Sequence, residues 1–109
     1  MKRKQLIRDN FREAVFKRDD FKCRKCGKLV GVVKLDAHHI TNREAMPNGG
    51  YVAENGISLC DMPGGCHMKA EQYYMSNGES YPEGFHPNDL YALIGSSLEA
   101  ATKASKRLK

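Results

Sequence analysis

The chain has 109 residues, 40% of them hydrophobic, and a formal net charge of +5. One hydrophobic core is the limit at this length, because halving the chain would bring each part near the size at which burial no longer offsets chain entropy. A single folded domain over residues 1–109 with a lean core is expected, and the lack of any run near the roughly 20 apolar residues that cross a bilayer excludes a spanning segment and a membrane partner.

Residues 1–28 carry 11 Lys/Arg against 4 Asp/Glu. No apolar stretch follows Met-Lys-Arg-Lys, so no secretory leader is expected and the chain reads as cytoplasmic. Phe11, Ala14, Val15 and Phe16 fall near helical spacing and predict a short amphipathic helix over Asp9–Arg18, capped by Asp9 or Asn10. Phe21-Lys-Cys-Arg-Lys-Cys-Gly-Lys then has the form of a zinc knuckle: Cys23 and Cys26 share one tight turn, and Gly27 is free to take a positive φ. From Leu29 to Ile40 the β-branched and aliphatic residues predict two short strands or a hairpin, with Gly31 at a bend and His38-His39 at a strand end.

Residues 41–56 are rich in Asn, Gly and Pro and read as a loop, before Ile57-Ser-Leu-Cys60 resumes as a strand. Pro63, Gly64 and Gly65 allow the chain to return Cys66 to the vicinity of Cys60. A helix is predicted from Cys66 to about Met75, stopped by Asn77-Gly78, and a further one from Pro87 to about Lys106. Residues 29–100 carry 3 Lys/Arg against 9 Asp/Glu, and the last nine carry 4 against 0. An acidic middle between basic ends suggests a cation site flanked by arms that neutralise phosphates, with nucleic acid as the partner.

The four cysteines form a C-x2-C and a C-x5-C pair. Reducing conditions disfavour disulfides, whereas two thiolate pairs on separate turns suit tetrahedral Zn²⁺, so Cys23, Cys26, Cys60 and Cys66 are expected to hold a structural zinc. Such an ion contributes roughly 10–16 kcal/mol, comparable with the whole net stability of a small domain.

Asp36-Ala-His-His-Ile, then Glu54-Asn55-Gly-Ile-Ser-Leu-Cys, then Cys66-His67-Met-Lys resembles the HNH nucleases over about residues 11–75. The five-residue spacer between Cys60 and Cys66 is a departure from that pattern, which nonetheless leaves His67 beside the last cysteine. The resemblance implies an α+β fold: a small ββα-metal (His-Me finger) core with a four-cysteine zinc ribbon, flanked by an N-terminal and a C-terminal helix. It further implies that His38 and His67 hold a catalytic divalent cation (Mg²⁺, Mn²⁺, Ni²⁺ or Zn²⁺) and that His39 is the general base. Neighbouring strand residues point to opposite faces, which agrees with separate tasks for the two adjacent histidines. The implied reaction is DNA phosphodiester hydrolysis leaving 5′-phosphate and 3′-hydroxyl ends, in a bacterial or phage-encoded enzyme.

Asn55, grouped with His39 in the catalytic set, is expected to fix the strand bearing His39 through backbone hydrogen bonds. Asp36 is open between supporting the metal and simple solvation, and Glu71, four residues after His67 on one helical face, between orienting that imidazole and exposure, with exposure favoured. Arg43 and Lys69 are candidate phosphate contacts. His86 is assigned no role, and Tyr51, Tyr73, Tyr74 and Tyr81 are expected to pack. A nuclease of low sequence specificity that nicks one strand per active site is the resulting expectation, as a monomer or weak dimer. The alternative is a non-catalytic zinc-ribbon module that binds DNA.

Overall fold

The computed structural model describes residues 3–108; Met1, Lys2 and Lys109, part of the expected basic arms, lie outside the described residues. The fold is α+β, with four α-helices and a two-stranded antiparallel sheet: α1 (Arg3–Arg18), β1 (Leu35–His39), β2 (Gly56–Cys60), α2 (Cys66–Met75), α3 (Pro87–Leu93) and α4 (Leu98–Lys106). Leu35 pairs with Cys60 and His39 with Gly56, so the two histidines of β1 face the start of β2. Among the described residues no helix is long and apolar enough to cross a membrane.

Every residue of β2 is buried, because the sheet is covered on both sides. Gly56 lies against α1 so closely that a Cβ there would meet Val15 Cγ2 at 2.4 Å and Phe11 Cε1 at 2.8 Å. On the other side α2 brings His67 and Glu71 over His38, and α3 and α4 complete the core through Leu90, Tyr91 and Ala101 around Ile40, Ile57 and Leu59.

The end of α1 is fastened by a buried carboxylate. Asp19 is paired with Arg18 (2.8 Å) and Arg24 (3.3 Å) and accepts the Ser58 N–H at 2.9 Å, while Arg18 donates to the carbonyls of Ala53 and Gly56. One charge thus ties the helix, the cysteine turn and the sheet together. Two guanidiniums and an N–H around a single carboxylate make its burial tolerable.

Three expectations for the elements need correction. First, α1 already runs from Arg3, which puts Asp9 and Asn10 inside the helix rather than at its cap; only Phe11 and Val15 are buried along it. Second, the segment from Leu29 forms just one strand, β1, preceded by isolated bridges between Lys22 and Leu29 and between Val30 and Val33. Leu29, Val30 and Val32 remain exposed, so their strand propensity finds no ladder to join. Third, the last helix is two. Gly95 takes φ +67° and Ser97 accepts the Ala100 N–H, ending α3 and capping α4. His86, given no role from sequence, caps α3: its Nδ1 accepts the Asn88 N–H at 3.0 Å, and its own N–H is accepted by Asp89.

Other features agree closely. α2 has the predicted bounds, and its stop places Asn77 and Gly78 at φ 55° and 81°, with the Gly78 N–H donating back to the Tyr73 carbonyl. Gly27 and Gly31 both take positive φ.

Candidate functional site

Two groups of metal-ligating side chains are built onto this frame. In the first, Cys23 and Cys26 come from the turn after α1, Cys60 ends β2 and Cys66 begins α2. Their sulfurs all lie within 4.8 Å of one another, close enough to hold a metal ion. Cys26 Sγ is 3.8 Å from Cys60 Sγ, about the edge of a tetrahedron with Zn–S bonds of about 2.3 Å and well beyond the roughly 2.0 Å of a disulfide. The Cys60 sulfur accepts the Cys66 N–H at 3.2 Å, so the loop of residues 61–65 does return Cys66 to the cluster. Burial disfavours ionisation at Cys23, but N–H groups of Cys26, Lys25 and Cys60 outweigh it and bring that thiol down to about 7. Burial and the neighbouring sulfurs push Cys66 the other way. Four crowded sulfurs of this kind fit one compensating cation and are compatible with a structural zinc.

The second group opens on a cleft of about 450 Å³ between α1, β1 and α2. The strand pleat sends the adjacent histidines to opposite sides of the sheet. His38, only 2% exposed in its side chain, faces α2, with Nδ1 3.5 Å from Glu71 Oε1 and its ring edge-on to His67 at 5.3 Å. His67 Nε2 lies 3.1 Å from Glu71 and 3.3 Å from Asp36, and its Nδ1 lies 3.2 Å from Asp61. Ligand atoms of His38, His67 and Glu71 fall within 4.8 Å of one another. Hydrogen bonding to Glu71, with the charges of Asp36 and Asp61 behind it, raises His67 to about 9 in spite of burial. His38 and His67 in turn hold Glu71 well below the usual carboxylate range. The immediate surroundings of His67 are acidic, with Asp36, Asp61 and Glu71 all within 3.3 Å of its ring nitrogens.

His39 occupies a different setting on the α1 side. Phe11 stacks on its ring at 4.5 Å, and Tyr51 packs edge-on at 4.8 Å. Burial, helped by the charges of His38 and Arg43, lowers its pKa to about 4, so the ring is neutral at pH 7. Nε2 of both His38 and His39 is buried with no hydrogen-bond partner among the described residues.

Asn55 does what its sequence position suggested. Its Oδ1 accepts the Thr41 N–H at 3.0 Å and the Tyr91 hydroxyl at 2.6 Å, and its Nδ2 donates to the carbonyls of Thr41 and Gly50. The backbone leaving β1 is thereby pinned two residues after His39.

The structure brings His38, His39, His67 and Arg43 to one cleft, with Asp36 against His67. Lys69 is exposed on α2 and does not line that cleft, which removes it as a phosphate contact there. Glu71 is not simply exposed: half-buried, it lies between His38 and His67. Arg8, Phe11 and Arg12 were missed as site residues although their i, i+3, i+4 spacing already puts them on one helical face. Asp61 and Tyr91 carried no sequence signal, because only the fold brings them to His67 and Asn55. No family model, curated protein or solved structure matches the chain.

Proposed function

We propose that the protein is a divalent-metal-dependent DNA endonuclease of the HNH type, with a ββα-metal core in β1, β2 and α2. The observation that carries this reading is the division of labour on β1. His38 joins a cation-seeking cluster with His67 and Glu71, and His39, one residue on, is a neutral imidazole on the same cleft. A divalent cation held by His38 and His67, with Glu71 beside them, supplies Lewis-acid stabilisation of the charge that builds on the phosphate and the leaving 3′ oxygen.

The chain's own groups account for the rest. His39 accepts the proton of the attacking water, a task for which its lone pair must be free at pH 7. Phe11 and Tyr51 hold that ring in place from two directions, and Asn55 fixes the backbone behind it. Arg43 and the arginines of α1 carry the positive charge that a phosphodiester requires. Cys23, Cys26, Cys60 and Cys66 hold a structural zinc that joins α1, β2 and α2. Products with 5′-phosphate and 3′-hydroxyl ends are expected, and one such site nicks one strand.

Incubation of zinc-loaded protein with supercoiled plasmid, with and without Mg²⁺, Mn²⁺ or Ni²⁺, tests the proposal. Cleavage that needs the added ion is expected, and His39→Ala should slow it by roughly 10²- to 10⁴-fold without loss of folding. Plasmid bound but left intact under every metal condition would favour the ribbon-only binding module, and unchanged cleavage by His39→Ala would remove that residue from its role.

A further inference from the structure

The cleft at His39 does not end there. A second cleft of about 440 Å³ adjoins it, sharing Arg8, Arg43, Glu44 and Tyr51 and reaching Lys4. Lys4, Arg8 and Arg12 follow one another at four-residue spacing along α1, one above the other on a single face.

That face is an unfavourable arrangement for a helix on its own. Like charges at i, i+4 repel, and the first turn, where acidic residues complement the dipole, contains none. Elsewhere on α1 the same spacing is used favourably: Gln5 donates to Asp9, and Lys17 pairs with Glu13 at 2.8 Å. Among the described residues Lys4, Arg8, Arg12 and Arg43 form no ion pair, though Glu44 lines both clefts and Arg12 lies over the Phe16 ring. Arg43 Nη1 instead donates to the Tyr51 hydroxyl at 2.9 Å, and Arg8 lines both clefts together with Arg43 and Tyr51. Two guanidiniums beside one neutral hydroxyl are under-compensated. The phenol responds: its pKa falls although burial opposes the change, which makes its hydroxyl a better donor.

We propose that Arg8 and Arg43, with the Tyr51 hydroxyl beside His39, form a binding subsite for a backbone phosphate of the DNA strand, and that Lys4 continues it along α1. A phosphodiester offers what the phenol cannot, namely a full negative charge and two free oxygens that match planar guanidiniums. The Tyr51 hydroxyl, accepting from Arg43, keeps its own proton to donate to the same group. The subsite holds the strand on the His39 side of the cleft, opposite the cluster of His38, His67 and Glu71. This inference rests on the nuclease reading for its substrate but not for its chemistry.

The test measures binding of zinc-loaded full-length protein to a 20-base-pair DNA duplex across a salt series, in a His39→Ala background so that the duplex stays intact. Arg8→Gln and Arg43→Gln should each weaken binding, and the pair should lower the salt-dependence slope by about 1, the contribution of one phosphate. Arg8→Lys should keep the slope but not the full affinity, since it keeps the charge and loses the fork. Lys103→Gln, on α4 and paired with Glu99, serves as the off-site control. In the His39-containing protein Arg8→Gln should lower kcat/KM by roughly tenfold or more, the worth of one charge-assisted hydrogen bond. If DNA is cut but both arginine variants keep the slope and rate of the control, the subsite is overturned and the nuclease reading stands. If the slope falls as stated while plasmid is never cut, the subsite is upheld and the nuclease reading fails. No binding to the duplex at any salt overturns the subsite as well.

Discussion

Asn55 uses its whole amide. Both lone-pair sites on Oδ1 and both Nδ2 protons are engaged, with partners from the loop after β1, the turn at Gly50 and α3. Asn55→Ala leaves the buried Gly50 carbonyl and the half-buried Thr41 N–H and C=O without this partner, at about 1–3 kcal/mol for a buried group left unpaired. A fall in melting temperature of about 10 °C or more is the expected outcome in a thermal unfolding scan. Asn55→Asp should not rescue it, because a carboxylate would face two carbonyl oxygens. The expectation that this residue braces the strand comes from its place between the His38-His39 pair and His67. Glu71 was not legible. Its i, i+4 relation to His67 is visible in the sequence, but its approach to His38 exists only once α2 lies on β1.

Among the elements, α1 and α2 differ in how plainly the sequence announces them. α2 is written in strong helix formers and ends in Asn77-Gly78, so local preference and tertiary structure coincide. The charged surface of α1 hides its length; what holds it is tertiary, namely Phe11 and Val15 against the sheet and the ion pairs of Asp19. The closeness of that contact depends on Gly56, whose φ of −125° any residue could adopt. The need for glycine there is space, not backbone freedom. Gly56→Ala should therefore destabilise the protein by about 1–3 kcal/mol, as overpacked cores do, and lift Phe11 off His39. Chemical denaturation would measure the first effect. Loss of the Phe11 ring-current shift on the His39 imidazole protons in an NMR spectrum would report the second. The exposed Leu29-to-Val33 segment teaches the opposite lesson: β-branched residues alone do not make a strand when no neighbouring backbone is there to pair with them.

At the scale of the whole molecule, two stretches of chain far apart in sequence meet at the four sulfurs. The Asp19 ion pairs also join these parts, but an ion bound by the sulfurs with roughly 10–16 kcal/mol would match the roughly 5–15 kcal/mol that separates folded from unfolded domains. Removal of the ion with excess chelator should unfold the protein cooperatively, with loss of helical circular dichroism and release of one zinc per chain; retention of the full spectrum after metal loss would show that the cluster is dispensable. The cysteine spacing made this centre visible in advance. The arginine face of α1 was foreshadowed only as a surplus of charge, since a count cannot say which way a helix is turned.

The peptide bond between Cys66 and His67 sets the two ion-binding groups back to back. A residue of the sulfur cluster is followed at once by His67, which packs edge-on to His38 and lies beside Glu71, so a shift at one group is passed to the other. Loss of an ion held by the thiols, which should unfold the chain cooperatively, would therefore scatter His38, His67 and Glu71 in the same step.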